Sequence, residues 1–226
     1  RPSLYRKEER LPLAIYSNIH NNLLKFYGKL FNINDSIIIV DGVYSNTNTK
    51  HNGKVETSMS LGLFSLNSST PYDIHFTGAG KKNNEKIKLQ QYIESNLIYF
   101  KNKTIICDRA YFCYKFFKFL DDNNIKFIIR IRNNAKIINN NQSKKFAIVS
   151  KDDDNSTRSD NINLITNLEV TDNKKILNLY HSRWDIEVFF KQLKDNFKFQ
   201  NFYEHKEDDY KKNIYAELSI LLIKQL

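Results

Sequence analysis

Apolar residues recur along the chain with two different periods, and the changes of period divide it into elements. Leu13–Phe31 carries apolar positions at mostly helical spacing with Gly28 near its end, which predicts a helix. "SIIIVDGVYSN" (Ser36–Asn46) is β-branched and apolar and predicts a buried strand with Asp41 at its polar end. Ser58–Gly78 predicts two strands around the turn-rich Asn67–Pro71 segment, a hairpin by its turn chemistry. Beyond the polar "GKKNN", Asn84–Asn96 predicts a helix, Lys103–Tyr111 a short apolar strand ending at Asp108, Tyr111–Asn123 an aromatic-rich helix, and Ile125–Arg132 another strand.

Residues 133–161 change character, being polar and low in complexity around one weak apolar run, Phe146–Val149. They predict an inserted excursion, a small hairpin with loops. Asn163–Val170 returns to strand character, and from Asn173 onward the pattern is helical, with a second helix over Tyr210–Leu226. The order is strand, hairpin, helix, strand, helix, strand, insert, helix. It predicts an α/β fold, a mixed sheet with helices on its faces. Residues 1–35 are expected to form a helical lead-in, its first ten residues highly charged. Residues 36–226 are expected to form one domain with an insert at about 133–168. Because the chain starts at Arg1 and its only methionine is Met59, a preceding segment is expected.

Composition adds constraints. With 226 residues, 41% of them hydrophobic, the chain can bury a real core. A formal net charge of +10 points to a polyanionic partner, although Lys and Asn richness also follows from A-rich codons. Cys107 and Cys113 are too few for a disulfide framework, and their spacing is not that of a zinc site, so both are expected to be reduced in an intracellular protein. No stretch is long enough for a transmembrane helix, and no membrane role is expected.

The stretch "YHSRWDIEVFFKQLK" (Tyr180–Lys194) carries the sharpest pattern. A helix turns about 100° per residue, so Tyr180, Arg183, Glu187 and Lys194 fall within roughly 60° of one another. Ile186, Phe190, Leu193 and Phe197 gather on a neighbouring arc, as a buried face would. Two further acids share a placement: Asp41 follows "IIIV" and Asp108 follows "TIIC", each a buried strand ending in a carboxylate and then a turn. Sites in α/β sheets gather beyond strand ends. Singly, each aspartate is more readily a turn or helix cap. Arg183 could merely pair with Glu187, and Trp184 could be core.

Three carboxylates brought together would repel one another, and divalent ions with a preference for hard oxygen, Mg²⁺ or Mn²⁺, would compensate them. Two such ions per site, roughly 3.5–4 Å apart, serve phosphodiester chemistry. Arg183 and Lys194 could then hold flanking phosphates, with Tyr180 on the backbone or a base.

The residues Tyr180, Arg183, Glu187 and Lys194, spaced Y-x2-R-x3-E-x6-K, resemble the YREK signature of transposases of the insertion-sequence-four type, within the DDE superfamily. Trp184, Ile186, Phe190 and Lys191 fall where that family has similar residues, and "IIIVDG" and "ICDRAY" resemble the surroundings of its two aspartates. "RAY" stands where "RGY" is more usual. The resemblance spans about Ser36 to Leu226. It implies a ribonuclease H-like fold, with Asp41, Asp108 and Glu187 as catalytic and metal-binding residues. It also implies Tyr180, Arg183, Trp184, Lys191 and Lys194 on DNA, and an insert before the glutamate helix. The activity implied is metal-dependent cleavage of transposon ends and strand transfer into double-stranded target DNA, by a homodimer. The compartment would be DNA-associated: cytoplasm in a prokaryote, nucleus or viral factory otherwise. A remnant that only binds DNA, and another ribonuclease H-like nuclease, are the competing readings. His51, His75, His181 and His205 are expected at surface or turns, "DDDN" (Asp152–Asn155) solvated, and Lys81, Lys82, Lys144 and Lys145 in loops, where they could add to a phosphate-binding surface.

Overall fold

In the computed structural model, residues 11–30, 36–48, 55–79, 84–132, 135, 146–151, 162–197 and 207–224 are described. Helix α1 (Leu13–Leu30) precedes strands β1 (Ile37–Asn48), β2 (Val55–Ser65) and β3 (Thr70–Ala79). Helices α2 (Glu85–Ser95) and α3 (Leu97–Phe100), strand β4 (Thr104–Cys107), a 3-10 turn (Arg109–Tyr111), helix α4 (Tyr114–Asp122) and strand β5 (Lys126–Ile131) follow. Strands β6 (Ala147–Lys151) and β7 (Ile162–Thr166) lead to helices α5 (Asn173–His181), α6 (Trp184–Phe197) and α7 (Glu207–Lys224). None of the described helices is long and apolar enough to cross a membrane.

The strands form one seven-stranded mixed sheet in the order β3-β2-β1-β4-β5-β7-β6. β1, β4 and β5 run parallel at its centre, and the β1–β2–β3 meander and the β6–β7 pair flank them antiparallel. The β2–β3 hairpin is the one expected. Two pieces of the 133–168 stretch do more than form a hairpin of their own, because β7 pairs with β5 and extends the sheet. Thr166 Oγ1 donates to the Phe127 carbonyl, and Asn167 accepts from Phe127 N–H while donating to Asp121 and the Ile125 carbonyl. One side chain thus ties the end of α4 to β5 and β7.

Side chains of a strand alternate between faces, and the central strands are apolar on both. Ile38, Val40, Ile105, Cys107, Phe127 and Ile129 join Leu89, Ile93, Phe100, Phe116, Phe117 and Leu120 of α2–α4 in one core layer. Ile39, Ile106 and Ile128 face the other way, onto Ile176, Tyr180, Ile186, Phe189, Phe190, Ile214 and Leu218 of α5–α7. The expected apolar arc of α6 is therefore borne out at Ile186 and Phe190. Leu193 and Phe197 have side chains outside the described residues. His20 of α1 is buried against the Tyr215 ring of α7.

Two expectations need correction. β1 does not end in a turn after Asp41; it continues to Asn48 because β2 pairs with it throughout, from Ile38 opposite Ser65 to Asn48 opposite Val55. Nor is Tyr180–Lys194 one helix. α5 closes at His181, and Ser182 and Arg183 form a tight turn (Arg183 N–H to Tyr180 carbonyl, 3.0 Å) before α6 starts at Trp184.

Gly62 of β2 sits opposite Asp41, and the Phe190 ring of α6 occupies the space a side chain at Gly62 would fill. This seat fixes the height of α6 above β1 and β2. Phe190 is hemmed in by Phe189, 5.6 Å away between ring centres, so it cannot swing aside freely. Gly62→Ala should therefore cost about 1–3 kcal/mol by overpacking. Chemical denaturation checks it, and a loss below roughly 0.5 kcal/mol, no more than an ordinary surface change, would mean that the ring is not seated there.

Candidate active site

The parallel pairing of β1 with β4 ends at Val40 opposite Cys107, and that of β4 with β5 at Cys107 opposite Ile129. These three residues stand at one level, so the next residue on each strand is Asp41, Asp108 and Arg130. Val40, Cys107 and Ile129 face the α2–α4 core layer, and alternation turns Asp41, Asp108 and Arg130 to the other face, beside α5 and α6. Arg130 lies close enough to Tyr180 to act on its phenol electrostatically.

One oxygen of each aspartate is spent on the backbone. Asp41 Oδ1 accepts from Gly42 N–H (2.9 Å), and Asp108 Oδ1 accepts from Ala110 N–H (2.7 Å), capping the 3-10 turn. The cap reading thus holds for Asp108 without using up its carboxylate. The third acid at this point is Glu85, in the first turn of α2. Carboxylate oxygens of Asp41, Glu85 and Asp108 all lie within 4.8 Å of one another.

Glu187 stands one cation away. Arg183 Nη2 lies 2.5 Å from Glu187 Oε1, and Arg183 Nη1 lies 3.7 Å from Asp41 Oδ2. The break at Ser182 and Arg183 still leaves Arg183 beside the Tyr180 ring, 5.9 Å from its centre. Its side chain is only 13% exposed, and among the described residues its buried Nε finds no hydrogen-bond partner. Trp184 is 62% exposed, which removes the core reading for it, and Lys191 is exposed. Lys194 lies on α6, its side chain outside the described residues. His51, His205, Asp152–Asn155 and lysines 81, 82, 144 and 145 lie outside the described residues. His181 is exposed as expected, whereas His75 is half-buried in β3 against the Tyr92 ring.

Charge in this pocket is costly. Burial and the neighbouring Asp108 charge push the Asp41 carboxyl up from 3.8 to about 6, against the Gly42 N–H and Arg183, which hold it down. That is on the order of 3 kcal/mol disfavouring its ionised form. Burial also pushes the Cys107 thiol well up, so it stays protonated, and both cysteines are free.

The profile of the transposase DDE domain matches residues 33–223, most of the chain. The chain belongs to that family. No curated protein matches it in sequence. Among solved structures, the domain is similar to a chain of the piggyBac transposase synaptic complex with hairpin DNA, at a TM-score of 0.55 and 10% identity. The match covers 84% of this chain and 47% of that one, so this chain spans about half of its length. At this identity the likeness shows the fold: the mixed sheet flanked by helices is ribonuclease H-like.

Members of this family generally use divalent metal ions, and the site suits one. Its donor set is all carboxylate oxygen, the choice of Mg²⁺ or Mn²⁺ over zinc. It is the one such acid cluster among the described residues. Sequence reasoning missed Glu85, which looked like an ordinary first-turn acid after the Asn84 cap. The signal was Gly42, since a glycine inside a strand often marks a close approach.

A carboxyl raised to about 6 binds its proton more tightly in the folded chain than in the unfolded one. The metal-free domain is therefore most favoured by this group below pH 3.8 and loses that stability as pH rises to about 6. Carboxyl-detected NMR should find Asp41 titrating near 6, higher in Arg183→Ala and lower in Asp108→Asn. Titration near 4 in all three would mean that the acids do not meet.

Proposed function

We propose that the domain is the catalytic domain of a DNA transposase of the insertion-sequence-four type, cleaving transposon ends and transferring them to target DNA. The observation that supports it most is the side-by-side placement of Asp41 and Asp108 where the parallel pairing of β1 with β4 ends. Arg183 links Asp41 to Glu187 within the YREK-like stretch. Asp41, Asp108 and Glu187 would hold Mg²⁺ or Mn²⁺, two ions per site. When bound, such ions supply a stabiliser of the charge that develops on the phosphodiester oxygens.

The chain's own residues do the rest. Arg183 forks between two carboxylates, and its guanidinium geometry suits phosphate oxygens as well. A DNA phosphate taken by Arg183, with the unpaired Nε as an added donor, releases Glu187 toward the aspartates. Arg130 places a second cation on the same face, beside Tyr180. Trp184, Lys191 and Lys194 extend from the same helix as Glu187 and would track the flanking backbone. The net charge of +10 raises the encounter rate with DNA. Double-stranded transposon ends and target DNA are the proposed substrates, and a homodimer holding two ends is the proposed assembly.

The test uses double-stranded DNA that flanks the coding sequence, with Mn²⁺. Asp41→Asn and Glu187→Gln should each lower cleavage at least about a hundredfold, several kcal/mol of barrier, while DNA binding is kept or strengthened. Cleavage at the parent rate by either variant would remove that acid from the catalytic set.

A further inference from the structure

Glu85 is held over the site by two features of β1. Gly42 follows Asp41, and a methyl group at Gly42 would meet the Glu85 carboxyl carbon and Oε1 at 2.5 Å each. Any other residue there would displace the carboxylate. Tyr44, two residues further on and so on the same face of the strand, donates its phenol to Glu85 Oε1. Glu85 thus reaches the aspartates from the α2 side of the sheet, through the gap left where β4 ends and β1 continues. Glu187, from the α6 side, is occupied by Arg183.

We infer that Glu85 is a metal ligand of this domain, completing with Asp41 and Asp108 the site that binds a divalent ion before DNA arrives. Gly42 and Tyr44 are its positioning residues. The three carboxylates already lie within 4.8 Å of one another, and no side chain has to move far to meet one ion. Glu187 joins only when Arg183 lets it go. This rests on the metal-dependent reading above and adds a fourth acid to it.

The test is Mn²⁺ titration of the DNA-free chain, by calorimetry and by manganese electron paramagnetic resonance. Glu85→Gln should weaken binding about tenfold or more. Gly42→Ala, which keeps the glutamate but fills its seat, should do the same and guards against a folding defect in the first variant. Asp41→Asn should remove binding. Parent-like affinity in Glu85→Gln together with loss in Asp41→Asn overturns the role of Glu85 alone. Parent-like affinity in Asp41→Asn overturns the metal site itself.

Discussion

The register of β1 against β4 is the constraint on which the site depends. Four parallel pairs, Ile37 with Thr104 through Val40 with Cys107, set the two strands side by side. Both faces of this block are buried, so a slip by one residue would turn Ile39 and Ile106 out of one core and Asp41 and Asp108 into the other. The apolar layers that stabilise the fold thereby fix two carboxylates next to each other. Backbone N–H groups of Gly42 and Ala110 then take one oxygen from each and leave the other for a cation.

Such a pair is electrostatically unfavourable, and the structure offsets this only in part. Among the described residues Arg183 is the cation that faces Asp41, at 3.7 Å, while Glu85 adds a further negative charge. A folded chain optimised for stability alone would not collect three acids at one half-buried point of the sheet. The cost makes sense where a divalent cation is the missing partner. In the proposed function Arg183 would be both a placeholder charge and the group that a phosphate captures, coupling substrate arrival to the position of Glu187.

Much of this was legible in the sequence. The alternation and runs of apolar residues located the central strands, and acids placed after "IIIV" and "TIIC" shared a position before any pairing was known. The helical face from Tyr180 to Glu187 was legible as well, although one continuous helix was the wrong picture. Local spacing does not register the turn at Ser182 and Arg183, across which α5 and α6 both pack onto the same sheet face. Glu85 was hinted at only by Gly42 inside a strand, and Arg130 by nothing. Each becomes significant only through long-range register, Glu85 against Gly42 forty-three positions away and Arg130 through the β4–β5 pairing. The continuation of β1 past Asp41 was hidden for the same reason, since β2 imposes it.

The account rests on Asp41 and Asp108 sharing a metal ion at the sheet end. A crystal structure of the chain grown with Mn²⁺, measured at the manganese absorption edge, tests this most directly. The predicted result is an anomalous peak between carboxylate oxygens of Asp41 and Asp108, at about 2.1 Å from each as hard oxygen ligation requires. A fully loaded crystal whose manganese lies elsewhere, with these two carboxylates turned apart, would contradict it.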